Sequence, residues 1–306
     1  MNLPAIRYRG LQSFALLSCF WLLVCGSNAR RLSQSGHTPV ALCLAVKDEH
    51  KDLREWVDYH RGIGVSKFYI FDNNSSKPLL SELTDYIQEE LVQYHYIIGR
   101  SMAHPQFEIY NRCLQLYRNY HTFMGFIDAD EYIVIPGKQP IAEVLKPYAA
   151  YGGLVMNWRQ MGPSGHVQRP EGGILANYWK CFEEDSDNNK HVKSIVVTAH
   201  ALAPFGAHAF KYNPGFSAVN VRFEPVNGPF SSPPDWSKIF LYHYVTRSRE
   251  DYQAKMVRGS GAGNHKPASW FDQVDRLSTA NCSLLLEYGQ RTTDAAEVSM
   301  AAMKSR

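Results

Sequence analysis

Residues 125–135 read GFIDADEYIVI, so Asp128, Asp130 and Glu131 stand in the middle of an otherwise apolar run. Isolated carboxylates are costly to bury unless they are paired or bound to a cation. At the end of a strand, a D-x-D spacing sends both side chains to one side, because side chains alternate with period 2. Two same-side carboxylates offer the hard oxygen ligands that Mg²⁺ and Mn²⁺ take. The alternative is a solvated turn between two strands. An exposed turn would carry Gly, Asn or Pro, and none occurs between Phe126 and Ile135.

Such carboxylates need a frame that brings them to an edge. Residues 40–49 (VALCLAVKDE) are a short apolar run without helical length, which predicts a buried strand. Leu53, Trp56, Val57, His60 and Ile63 then recur at helical spacing, and Gly62 and Gly64 end the pattern. A strand over 67–76, a helix over 80–91, a strand over 92–99 and a helix over 106–120 follow, and the DADE stretch is the fourth strand. This order predicts an α/β fold, a mostly parallel sheet flanked by helices with right-handed crossovers. Beyond residue 136 the pattern is less regular. Strands are expected near 152–162, 191–200 and 238–246, and a helix over 248–259 with Ser248 as N-cap and Gly259 past its end.

Ligands of such sheets collect beyond the carboxyl ends of the strands. The loops expected there are KDEH (47–50), DNNSS (72–76) and DADE (128–131). Neither G-x-G-x-x-G nor G-x-x-x-x-G-K-[ST] occurs, so dinucleotide redox chemistry and P-loop phosphoryl transfer lose their main support. Acidic groups with a hard divalent cation at a sheet edge point instead to a nucleotide diphosphate. The net charge of +3 gives no argument for a nucleic-acid partner.

Residues 11–25 (LQSFALLSCFWLLVC) are nearly all apolar, with Arg7 and Arg9 before them and Arg30 and Arg31 after. As a helix they would span about 22 Å, short of a hydrocarbon core of roughly 30 Å. Their length suits a signal peptide ending near Ala29 or a short signal-anchor, and either sends the remainder into the secretory pathway. The expected organisation is residues 1–29 as signal peptide or anchor, 30–39 as stem, 40–290 as the catalytic domain and 291–306 as a flexible tail. Cys43 and Cys113 are expected as buried thiols, whereas Cys181 and Cys282 are candidates for pairing in an oxidising lumen. Asn74 and Asn281 lie in sequons, of which Asn281 is the better acceptor.

Four blocks occur in order: residues 40–76, TFMGFIDADEYIVI, HVKSIVV and LYHYVTRSREDYQAKMVRG. Together they resemble glycosyltransferase family 92 in its plant-type, galactan-synthase-like form, over roughly residues 38–260. The resemblance implies a GT-A fold and an inverting, metal-dependent transferase. Its donor would be a UDP-sugar, commonly UDP-galactose, and its acceptor a glycan or polysaccharide. It also implies a Golgi membrane protein with a lumenal catalytic domain, the alternative being secretion after cleavage. Asp128 and Asp130 match the D-x-D that holds Mn²⁺ (or Mg²⁺) against the diphosphate. Ala45, Lys47 and Glu49 match the loop lining the nucleotide, Asp72 the carboxylate near uracil or ribose, and Lys193 a lysine suggested to meet phosphate or acceptor. His243 matches the downstream histidine that completes the metal shell in many GT-A enzymes. From the residue pattern alone, Lys193 also reads as a surface strand lysine and His243 as a core histidine.

An inverting transfer needs a carboxylate or His to take the acceptor proton. Glu171 in RPEGG is the first choice, with Asp185 and its neighbours Glu183 and Glu184, and His166, as competitors. Arg112 is a helix-face residue within possible reach of phosphate, and Trp158 a candidate sugar platform. The competing function class is a catalytically silent carbohydrate-binding relative of the same fold.

Overall fold

A computed structural model describes residues 38–97, 104–259 and 266–290. The apolar segment at 11–25, most of the stem and the tail from 291 lie outside the described residues. The strands are β1 (Thr38–Val46), β2 (Lys67–Asp72), β3 (Val92–Tyr96), β4 (His121–Phe126), β5 (Glu131–Val134), β6 (Gly153–Gln160) and β7 (Lys180–Cys181). They continue as β8 (Val192–Val197), β9 (Ala201–Phe205), β10 (Ala209–Tyr212), β11 (Ala218–Val219), β12 (Pro225–Val226), β13 (Phe240–His243) and β14 (Ala280–Asn281). The helices are α1 (Leu53–Gly62), α2 (Thr84–Gln88), α3 (Pro105–Tyr117), α4 (Ile141–Leu145), α5 (Ile174–Asn177), α6 (Arg249–Arg258) and α7 (Ser269–Leu277).

The main sheet runs β12-β11-β6-β8-β4-β1-β2-β3. The half built from the N-terminal strands, β3-β2-β1-β4, is parallel throughout. β1 lies between β2 and β4 and is apolar on both faces, as a parallel strand covered on both sides requires. Val40, Leu42 and Leu44 pack with Trp56 and Val57 of α1. Ala41 and Cys43 pack with Ile109, Tyr110 and Leu114 of α3 on the opposite face. The anticipated α/β architecture, a mostly parallel sheet flanked by helices, is the observed one. β8 enters antiparallel between β4 and β6. β13 pairs parallel with β6 and antiparallel with β5.

Three local expectations need correction. The DADE stretch is not one strand: β4 stops at Phe126, β5 starts at Glu131, and residues 127–130 turn between them. The helix expected over 80–91 is a 3₁₀ turn at Leu79–Glu82 followed by the five residues of α2. Pro78 closes off its start, and the apolar side chains there cap the sheet edge rather than repeat along a stripe. Cys43 and Cys113 are not free thiols, because β1 and α3 pack face to face and the two residues form a disulfide. Cys181 and Cys282 pair as anticipated. At α6, the Ser248 hydroxyl accepts from Asp251 N at 3.1 Å, and Gly259 takes φ +83°, as the cap signals predict.

Among the described residues no helix is long and apolar enough to cross a membrane.

Candidate active site

The turn between β4 and β5 is closed from inside. Glu131 N donates to Asp128 O at 3.1 Å, and Asp128 N donates to Glu131 Oε2 at 2.8 Å. Glu131 is fully buried, and burial pushes its carboxyl above the usual carboxylate range. Asp128 accepts from Gln106 and, at 3.0 Å, from the Tyr110 hydroxyl, both on α3. The Lys193 ammonium of β8 lies 2.9 Å from the same carboxylate. Burial opposes the charge on Lys193, and Asp128 overrides it, holding the ammonium protonated.

Asp130 is supplied from the other side of the turn. Lys255 of α6 donates to it at 2.6 Å. The register of β13 on β5 sets His243 opposite Glu131, which brings His243 Nε2 to 3.7 Å from Asp130 Oδ1. Burial alone would raise the Asp130 carboxyl, but the Lys255 ammonium and the Arg247 guanidinium outweigh it and hold the group below the usual carboxylate range. Burial pushes the His243 imidazole down to about 4, so it is neutral. Its Nδ1 is buried and has no hydrogen-bond partner among the described residues.

Gln106, Asp128, Asp130, His243 and Lys255 line a cavity of about 490 Å³ at the carboxyl edge of the parallel strands. Ala45, Lys47 and Glu49 enter it after β1, Asn73 after β2, and Asp128 and Asp130 from the turn. Trp158, Gln160, His191 and His208 line it as well. The Trp158 ring stacks on His191 (centroids 4.8 Å apart) and meets His243 at 4.1 Å. An adjoining cavity of about 770 Å³ shares Lys47, Glu49, Lys255 and Arg258. Beneath it a buried ion network ties the loop after β1 to α6. Arg247 reaches Glu49 at 2.8 Å and Asp52 at 2.6 Å, and Arg258 reaches Glu49 at 2.6 Å. Burial works to raise the Glu49 carboxyl, and the two arginines win, holding it low.

The family model for glycosyltransferase family 92 matches residues 38–215. The chain belongs to glycosyltransferase family 92. A family 92 protein of Oryza sativa subsp. japonica is 28% identical over 190 residues, covering 60% of this chain and 31% of the relative. A family 92 protein of Ricinus communis is 28% identical over 226 residues, covering 72% and 37%. Galactan beta-1,4-galactosyltransferase GALS2 of Arabidopsis thaliana is 30% identical over 132 residues, covering 41% and 25%. The chain thus spans between a quarter and two fifths of the length of these relatives in each alignment. Among solved structures, S. aureus TarS (residues 1–349) in complex with UDP has a TM-score of 0.37 and 14% identity, covering 53% of this chain and 47% of that one.

Of the residues expected to serve a family 92 site, Ala45, Lys47, Glu49, Asp128, Asp130, His243 and Trp158 all line the main cavity. Others do not. Asp72 is fully buried and spent on structure: it accepts from Ser75 N at 2.9 Å, Leu79 N at 3.0 Å and the Tyr94 hydroxyl at 2.7 Å, which shapes the loop after β2. Asn73, not Asn74, reaches the main cavity; Asn74 lines the adjoining one. Lys193 is neither a surface lysine nor a lining residue, but sits fully buried against Asp128. Arg112 is exposed on α3. The candidate bases Glu171 and Asp185 are exposed on loops away from the cavity lining. His166 Nε2 donates to Asn177 O at 3.1 Å and lies outside the cavity too.

Sequence reasoning missed Lys255, Arg258, Gln106, His191 and His208. Lys255 and Arg258 fall within the block that carries the resemblance, and their basic character on one helix near a carboxylate edge was the available signal. For His208, in FGAHAF, only the Gly turn before it marked a hairpin.

The donor set of Asp128, Asp130 and His243 suits Mn²⁺ or Mg²⁺ in kind, two carboxylates and a neutral imidazole with an unpartnered nitrogen. Among the described residues no three His, Cys, Asp or Glu side chains already form a metal-holding cluster. Lys193 and Lys255 counter the two carboxylates instead. The residues therefore fit such an ion chemically, with Lys255 as its competitor for Asp130.

Proposed function

We propose that the chain transfers a sugar from a UDP-sugar to a hydroxyl of a carbohydrate acceptor, with inversion at the anomeric carbon. The observation that carries this reading is the convergence of the loop after β1, Asn73 and the D-x-D turn on one cavity at the carboxyl edge of the parallel strands. Galactose is our choice of donor sugar, supported by the galactan beta-1,4-galactosyltransferase relatives. Asp128, Asp130 and His243 would hold a divalent ion, which when bound supplies positive charge to a diphosphate leaving group.

The chain's own residues do the rest. Gln106, Tyr110 and Lys193 fix Asp128. Lys47, Lys255 and Arg258 bring cationic groups to the cavity wall, where a diphosphate gains from them. Trp158 offers a ring face to a sugar. Its Nε1 and Gln160 Nε2 are buried donors without partners among the described residues, on side chains that line the cavity. The two disulfides favour an oxidising compartment, and with the apolar segment at 11–25 they support a lumenal enzyme of the Golgi membrane.

A screen of UDP-sugars, with acceptor oligosaccharides and Mn²⁺, tests the reading. UDP-galactose should be consumed, and excess EDTA should stop it. Consumption of another UDP-sugar would overturn the choice of galactose, and undiminished activity in EDTA the metal site.

A further inference from the structure

We propose that His208 is the general base of this transfer, taking the proton of the acceptor hydroxyl at its Nε2. The proposal rests on the transferase reading. An inverting displacement needs a lone pair at the cavity that is not already committed. The cavity's carboxylates are committed: Asp128 and Asp130 to lysines, and Glu49 to two arginines. His243 stands against Asp130. Among the described residues, that leaves His191 and His208.

The hydrogen bonding of His208 decides its tautomer. Its Nδ1 lies 2.7 Å from the carbonyl oxygen of Val192. A carbonyl only accepts, so Nδ1 carries the hydrogen, and the lone pair of the neutral ring is on Nε2. No described residue bonds Nε2. The ring is held in place by its backbone as well: Ser194 Oγ donates to His208 O at 2.7 Å, and the chain enters through Gly206 at φ +82°. The Trp158 and His208 rings meet at a steep angle, centroids 5.3 Å apart, and both side chains line the cavity. This is the arrangement of an oriented base: one nitrogen anchored, the other presented to the cavity. His60, by contrast, has both ring nitrogens consumed by backbone groups, Trp56 O at 2.8 Å and Ile133 N at 3.2 Å, and is purely structural.

His191 is the competitor. Its Nδ1 donates to Asn188 O at 3.1 Å, and its ring lies flat on Trp158. The two differ in their charged surroundings. His208 feels Lys193 and Asp128, the pair at the D-x-D turn where the leaving group belongs, whereas His191 feels Lys266. Burial, with Lys193, pushes the His208 imidazole down, so the resting ring is neutral and its Nε2 carries a lone pair.

In the step itself, the acceptor oxygen bonds to the anomeric carbon as the bond from that carbon to the β-phosphate oxygen breaks. That electron pair leaves with UDP. The hydroxyl proton passes to Nε2 and then to water.

The test compares His208→Asn, His208→Gln and His191→Asn in the full chain, with UDP and the UDP-sugar that the wild type turns over. The Asn amide can still donate to Val192 O but provides no base. His208→Asn should lower kcat for transfer by about 100-fold or more, and leave UDP affinity and melting temperature close to wild type. His191→Asn, which removes a cavity-lining ring but not the assigned base, should lower kcat at least about tenfold less than His208→Asn does. The assignment is overturned if His208→Asn keeps more than about a tenth of kcat, below the usual worth of a general base. It is also overturned if kcat and UDP affinity fall together, which would mean the residue shapes the pocket. If His208→Asn melts far below wild type, His208→Gln is judged by the same readouts. A wild-type chain that neither binds UDP nor consumes any UDP-sugar would instead refute the transferase reading, and the base with it.

Discussion

Asp72 and Asp130 are both buried carboxylates, and they differ in what satisfies them. Three neutral donors converge on Asp72, whereas Asp130 meets an ammonium and, at 3.7 Å, an imidazole. The first pattern fixes a loop and the second leaves ionic partners that a ligand can exchange. Asp72→Asn has one oxygen fewer to offer its three donors, so stability should fall by about 1–3 kcal/mol. A denaturation midpoint that does not move would contradict this. His243→Ala should weaken Mn²⁺ activation while costing few degrees of melting temperature, because its Nδ1 makes no bond that folding relies on. A sharp melting loss with unchanged Mn²⁺ dependence would make it a core residue. Asp128 and Asp130 were legible as a candidate pair because their spacing in an apolar run carries the signal, whereas His243 was singled out only through the family resemblance. Lys255 and His208 were not, since a lysine on a helix and a histidine in a hairpin gain meaning only from a tertiary neighbour.

At the scale of elements, the alternation from β1 to β4 was legible in apolar runs and helical spacing. The turn inside GFIDADEYIVI was not. Apolar residues flank it on both sides because β5 pairs with a strand more than a hundred residues away, β13, and is buried by it. The β6–β8 pairing that carries Trp158, Gln160 and Lys193 leaves no room at Gly153, where an added Cβ would lie 2.6 Å from Ile195 O. Gly153→Ala should therefore destabilise the chain by about 1–3 kcal/mol, read from denaturant unfolding; a neutral result would mean these strands part easily. Glu55 of α1 latches the start of α5, accepting from Ile174 N at 2.7 Å and Leu175 N at 3.2 Å. Burial pushes its carboxyl up to about 7. The folded state thus holds a proton that the unfolded state releases near 4.5, and this contribution to stability is full below that value and lost as pH rises through 7. Melting of the wild type minus that of Glu55→Gln should consequently shrink between pH 5 and pH 8. A difference that grows would reverse the assignment.

For the molecule as a whole, the sheet order past β4 could not be read from sequence, because β8 enters antiparallel and β13 returns from far along the chain. The disulfides bridge separations of 70 and 101 residues, β1 to α3 and β7 to the residue after β14. Cross-links over loops of that length contribute about 2–5 kcal/mol. Replacing Cys181 and Cys282 with Ser should cost stability in that range, and non-reducing peptide mapping of the chain from its native host should recover both pairs; free thiols at these positions would contradict the proposed oxidising compartment. The central claim is that the D-x-D turn and its neighbours form a cation-assisted site for a nucleoside diphosphate. Calorimetric titration of UDP into the chain, with Mn²⁺ and again in EDTA, for wild type and Asp130→Asn, tests it most directly. The account predicts UDP binding that requires Mn²⁺ in the wild type and is lost in a folded Asp130→Asn. Equal UDP affinity in EDTA, or no UDP affinity at all in the wild type, would contradict it.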